Sequence, residues 1–190
     1  IMNTFTTPIL PRGFGWTLTT YALKYLDEVE TICGRRTGVV PYGGVELIPS
    51  GNPKVWYPNS THIVVRLNVS ILNSVPQAIF QLSHEMVHVL CDGGPHKTAI
   101  NLEEGIAVWF SKIATDRDSG NPTYAATSIA ADPKYQAAYN LVTQLLNHDS
   151  DAIKKLRVIQ PVLGGVNAAD FAKASVIAPP ALIASLLAPF

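Results

Sequence analysis

The chain has 190 residues, 47% of them hydrophobic and 15% charged, with 14 basic against 14 acidic side chains and a formal net charge of zero. That length suits one domain, or one domain with a small appendage, and the composition excludes a disordered chain. No Lys/Arg run stands out, which argues against nucleic acid and against an anionic membrane as partners.

In chain order, "TLTTYALKYLDEVETICG" predicts an amphipathic helix capped by a threonine and stopped at Gly34. "RRTGVVPYGG" reads as a turn-rich connector. "GVELIP" and "THIVVRLN" read as strands, separated by the loop "SGNPKVWYPNS" with its two prolines. In the second strand Ile63, Val65 and Leu67 share one face. "SVPQAIFQLSHEMVHVLCDGG" predicts a helix with Ser74 and Gln77 at capping-box spacing and Pro76 in the tolerant first turn. Ile79, Leu82, Met86 and Val89 recur along it at helical spacing, and Gly93-Gly94-Pro95 is its stop. "INLEEGIAVWFSKIA" predicts a helix buried through Ile106, Trp109, Phe110 and Ile113, with Asn101 or Thr98 as cap. "DPKYQAAYNLVTQLLNH" and "DAIKKLRVIQ" are further helices. The last 25 residues read as helical fragments around Pro179-Pro180, and the apolar tract within them, Ala174 to Phe190, is broken by those prolines and short for a bilayer, so a docked terminal helix is expected and no membrane span. The order of helix, a few strands, then helices is an α+β pattern with a small, mixed sheet. Cys33 and Cys91 make no disulfide framework, and one pair or two buried thiols are both open. No signal pattern is visible, and an initial Ile1 is expected of a processed chain, so cytoplasmic and secreted settings are both open.

The chemistry concentrates in one pentad. His84-Glu85-Met86-Val87-His88 matches H-E-x-x-H. Four residues turn a helix almost once, so His84 and His88 project from one face and can grip a single metal ion. Imidazole suits zinc, and Glu85 stands beside the metal as general base toward a water whose pKa the ion lowers. A catalytic zinc needs a third protein ligand. His96 and Asp92 are candidates by position. His96 does not fit the metzincin spacing, which would place Gly at Cys91 and the ligand at Gly94.

A third candidate lies in "NLEEGIAVWF". This segment is similar to the N-E-G-[LI]-A-x-[YW]-[LF] stretch that follows H-E-x-x-H in gluzincin zinc metallopeptidases. The chain resembles their short members, the minigluzincins and peptidase-MA-like domains, over about Thr61 to Gly165. The resemblance implies a zincin-like α+β domain over 1–190, with an N-terminal α/β part to about 95 and a mostly helical part from about 96. It implies Glu104 as third zinc ligand, one Zn2+ per chain, and Gly105 and Ala107 as small residues between packed helices. Glu103 is the neighbouring fallback, otherwise an acid favoured by the helix N-terminus. Glu104 itself stands three residues after Asn101, at capping-box spacing. Val108 departs from thermolysin-type members, which carry Asp there.

In such families an antiparallel strand before the metal helix lines the cleft and pairs with extended substrate. "THIVVRLN" occupies that place. "YQAAYNLVTQLL" is similar to a helix whose tyrosine donates to the oxyanion, which implies Tyr139, with Tyr135 second and Tyr124 and His148 still open. The segment from Tyr42 to Asn59, with Trp56 and Tyr57, is expected to shape one cleft wall. The implied activity is hydrolysis of peptide bonds in a peptide or protein substrate. Two rivals remain: a silent metallopeptidase-like binding or regulatory module, against which the intact Glu85 argues, and a zinc hydrolase of a non-peptide amide.

Overall fold

The computed structural model describes residues 8–9, 13–14, 18–38, 40–91 and 99–190. Two short strands, β1 (Pro8–Ile9) and β2 (Gly13–Phe14), pair antiparallel. Helix α1 (Leu18–Cys33) buries Tyr21, Ala22, Tyr25 and Val29 along one face. Gly34 ends it with φ +89°, its N–H bonded to Glu30 O at 2.9 Å, a conformation that glycine adopts without a Cβ penalty. The expected threonine cap, Thr17, lies outside the described residues.

The sheet consists of β3 (Tyr42–Ile48), β4 (Lys54–Trp56) and β5 (Ile63–Asn68) in the order β3-β5-β4. β5 runs parallel to β3 and antiparallel to β4, which makes the sheet mixed. Ile63, Val65 and Leu67 are fully buried and alternate with half-buried residues, as the period of two requires. Two expectations change here. The segment expected to be a loop between the prolines contains β4. And "THIVVRLN" forms the central strand, with both edges already paired, so it has no free edge for a substrate. Among the described residues the outer edges belong to β3 and β4.

Helix α2 (Val75–Leu90) begins where Ser74 Oγ accepts from Gln77 N at 3.4 Å, with Pro76 in its first turn. Ile79, Leu82, Met86 and Val89 are fully buried. Its last carbonyls are satisfied by arginines: Arg36 Nε donates to Val89 O at 2.9 Å and Arg157 Nη2 to Leu90 O at 3.3 Å. Gly93-Gly94-Pro95 lies outside the described residues.

Helix α3 (Asn101–Asp118) does not use Asn101 as its cap. Ile100 holds the N-cap position without a side-chain bond. Asn101 instead binds the C-terminal segment, through its N–H to Ala188 O at 3.0 Å and its amide to Ser185 O at 2.9 Å. Thr98 lies outside the described residues. Ile106 and Phe110 are buried and Trp109 half-buried, but Ile113 turns off the packed face and is 38% exposed.

Four of the remaining five helices were expected: α5 (Pro133–His148), capped by Asp132, α6 (Ala152–Ile159), and α7 (Ala168–Lys173) and α8 (Pro180–Leu187) as the terminal fragments. The fifth, α4 (Tyr124–Ala131), was not. α8 docks through buried Leu182 and Leu186, and no helix among the described residues is long and apolar enough to cross a membrane. The architecture is α+β, with eight helices and a small mixed sheet among the described residues. One buried cluster runs from Tyr21 to Leu186 and joins α1, β5, α2 and α3 with the C-terminal helices. Cys33 and Cys91 are both buried and no disulfide joins them, and burial pushes the Cys33 thiol up to about 12.

Candidate metal centre

The helical spacing of His84 and His88 brings their Nε2 atoms to 3.2 Å from each other. Glu104, in the first turn of α3, closes the group. Its Oε2 lies 3.3 Å from His84 Nε2 and its Oε1 3.4 Å from His88 Nε2. Zinc bonds of about 2.0–2.1 Å in a tetrahedron give ligand-to-ligand edges of about 3.3–3.4 Å, so the three groups already stand at the separations that a zinc ion would impose. His84 and Glu104 are each only 8% exposed. Two nitrogens and one carboxylate converging in a buried spot form a donor set suited to catalytic zinc, and among the described residues this trio is the one group with such convergence.

Glu103 takes a different part from the ligand role held open for it. Its Oε1 lies 3.1 Å from His88 Nδ1. An ionised carboxylate only accepts, so Nδ1 carries the hydrogen and Nε2 is the nitrogen turned toward the centre. Carboxylates in this position fix a ligand's tautomer and orientation. Burial opposes a charge on His88, but the Glu103 hydrogen bond and the carboxylates of Glu104 and Glu85 outweigh it and push the imidazole up to about 9. The protein thus favours positive charge at the centre of the cage.

Glu85 is 4% exposed. Burial raises its carboxyl above the usual range, His88 and His84 oppose the rise, and Glu104 adds to it. The backbone N–H of Val55 on β4 donates to the carboxylate and favours its charged form. In an antiparallel pair a residue whose N–H points off the partner strand also points its C=O away, so the Val55 carbonyl faces outward from β5 as well.

These groups open into a cavity of about 500 Å³. Lys54, Trp56 and Tyr57 form one wall, as expected for the segment before β5, and Tyr135 and Phe190 form another. Trp56 is held by Arg66, whose guanidinium carbon lies 3.3 Å from the ring centroid while its Nε bonds Glu46 at 2.8 Å. A second cavity, of about 390 Å³, adjoins the first and shares His84, Glu85 and Tyr135 with it.

The structure therefore brings together His84, Glu85, His88 and Glu104. It does not bring Tyr139 to them. Tyr139 borders neither cavity and lies within electrostatic reach of Lys112. Tyr135, one turn earlier and about 6 Å back along α5, borders both cavities. Its ring meets His84 edge-on at 5.6 Å and stacks on Phe190 at 5.4 Å. Burial and the carboxylates of Glu104, Glu85 and Asp132 push its hydroxyl up to about 12, so it is a donor at neutral pH. His148 is exposed at the other end of the same helix, about 20 Å from Tyr135 at 1.5 Å per residue. Tyr124 borders the second cavity. Asp92 and His96 lie outside the described residues. Sequence reasoning missed the bond from Glu103 to His88, the Val55 N–H, Phe190 and the whole of α4. The first three are tertiary contacts with no local signal. No protein-family model matches the chain, and no curated protein or solved structure matches it.

Proposed function

We propose that the chain is a zinc-dependent metallopeptidase of gluzincin type, with residues 1–190 forming one zincin-like domain. The observation that carries this reading is the cage of His84 Nε2, His88 Nε2 and the Glu104 carboxylate, with separations of 3.2, 3.3 and 3.4 Å, beside a buried Glu85 in the same cavity. A zinc ion held by His84, His88 and Glu104 would supply Lewis-acid polarisation of a carbonyl and would make a water at the site easier to deprotonate.

The chain's own residues do the rest. The Glu85 carboxylate accepts a proton from the attacking water and delivers it to the leaving nitrogen as the C–N bond breaks. The Val55 N–H holds that carboxylate in place. The Tyr135 hydroxyl donates to the oxygen on which negative charge develops. The outward Val55 carbonyl on edge strand β4 is the backbone acceptor for an extended peptide, which moves the strand-pairing role from β5 to β4.

The test uses the full chain. Elemental analysis should give one zinc per chain, and denatured casein or a peptide library should be cleaved until a chelator is added. Glu85→Gln should keep zinc and fold and lose nearly all hydrolysis, because the amide is nearly isosteric but cannot take the proton. Cleavage by this variant at the native rate would remove Glu85 as general base.

A further inference from the structure

The second cavity has a wall that the metal centre does not use. Tyr124, Ser128 and Asp132 follow one another at intervals of four, so they form one stripe along α4 and its junction with α5. The stripe faces Phe80 and Gln81, one turn before His84 on α2. The chemistry of this wall is one-sided. Asp132 and Glu85 border the cavity, and no Lys or Arg does.

Asp132 has only half its carboxylate committed. Oδ1 caps α5 by accepting from Lys134 N at 2.9 Å and Tyr135 N at 3.4 Å. Oδ2 enters no hydrogen bond or ion pair among the described residues. Lys134, the nearest cation in sequence, is engaged elsewhere, its Nζ 5.5 Å from the centroid of the Phe190 ring. Phe80 and Tyr124 meet edge-on at 6.3 Å and supply the apolar sleeve that a long methylene stem needs, with ring faces that attract a cation. The first cavity has Lys54 in its lining, beside the carboxylates of Glu85, Glu103 and Glu104, whereas the second has no cation to compete for Asp132.

We propose that the cavity bordered by Tyr124, Ser128 and Asp132 receives an arginine or lysine side chain of the substrate, with Asp132 as its counter-charge. This rests on the reading of His84, Glu85 and His88 as the hydrolytic centre, and makes Asp132 a specificity-determining residue next to it.

Asp132→Asn is a clean probe, because asparagine caps a helix as well as aspartate while removing the charge. Its thermal midpoint should match that of the native chain. With the zinc-loaded full chain, Nα-acetyl-arginine amide should bind more tightly than Nα-acetyl-leucine amide and shift the backbone signals of Ser128 and Asp132. In Asp132→Asn that preference should fall about tenfold, the size of one charge-assisted hydrogen bond. Among cleaved peptides, those with Arg or Lys next to the scissile bond should show the same fall in kcat/KM relative to Leu peptides. Equal binding of the two amides by the native chain, or a preference that survives in Asp132→Asn, overturns the assignment. If no peptide is cleaved, the hydrolytic reading falls, and the two amide titrations still decide the pocket.

Discussion

Tyr135 and Tyr139 lie four residues apart on α5, and the difference between them is one of position along the axis rather than of face. Tyr135 touches His84 and borders both cavities, while Tyr139 lies a turn beyond, toward Lys112. Tyr135→Phe is therefore expected to lower kcat by about a hundredfold or more, the size of one lost oxyanion donor. KM and zinc affinity should change little, because the contact exists mainly in the transition state. Tyr139→Phe should stay within a few-fold in every kinetic constant. Steady-state kinetics on both variants decides the matter, and the reverse pattern would restore Tyr139. The sequence could not separate the two, because spacing fixes the face of a helix but not the level at which it crosses its neighbour. The same limit applied to Glu103 and Glu104. Adjacent residues differ by about 100° around a helix, so only the placement of α2 determines which carboxylate joins the cage and which takes the His88 Nδ1–H. The histidine pair was legible because both side chains come from one helix.

Elements fix these levels, and Gly105 sets the closest approach. A Cβ there would lie 2.4 Å from Ala138 O and 2.6 Å from Val142 Cγ2, so α3 and α5 meet backbone to backbone just after Glu104 and three residues from Tyr135. Alanine is the better helix former by about 1 kcal/mol. A backbone oxygen cannot step aside as a flexible side chain can, however, and overpacking costs about 1–3 kcal/mol. Gly105→Ala should lower the urea midpoint or leave it no higher, and should weaken zinc binding as Glu104 is levered from the histidines. A stabilised variant with native zinc affinity would show that the helices separate freely. Elements with strong local signals were legible: α2 through its cap Ser74 and its helical spacing, and β5 through its alternation. β4 was not, because three residues between two prolines show no period, and pairing with β5 alone makes them a strand. α4 was not, because "YAATSIAA" buries only Ala125 and Ile129 and owes its place to packing.

At the scale of the molecule, two polar clusters, one centred on Arg157 and one on Asp118, tie the site helices to α1. Arg157 is 5% exposed, and its guanidinium donates to the carbonyls of Cys33, Gly34, Arg35 and Leu90, so the carbonyl ends of α1 and α2 compensate its charge in place of a carboxylate. At the other end of α3, Asp118 accepts from Arg117 at 2.7 Å, Lys24 at 2.9 Å and Tyr25 at 3.1 Å. Burial raises the Asp118 carboxyl, but the hydrogen bonds from Arg117 and Lys24 outweigh it and hold it down at about 2. The unfolded chain would titrate this group near 4. A carboxylate depressed in the folded state contributes stability that is fully present above the unfolded value and is lost as pH falls through the folded one. Asp118 should therefore support the fold at neutral pH and cease to do so between about pH 4 and pH 2. Asp118→Asn should be less stable at pH 7, by about 1 kcal/mol or less because its partners Lys24 and Arg117 are solvent-screened. Urea midpoints of the two proteins should converge as pH falls toward 2, and a deficit undiminished at that pH would mean that packing rather than charge is lost. On the proposed reading the histidines of the cage meet protons earlier, because they must be neutral to hold a zinc ion. Hydrolysis should consequently fail at a higher pH than the fold does, and circular dichroism recorded beside activity would resolve the two losses.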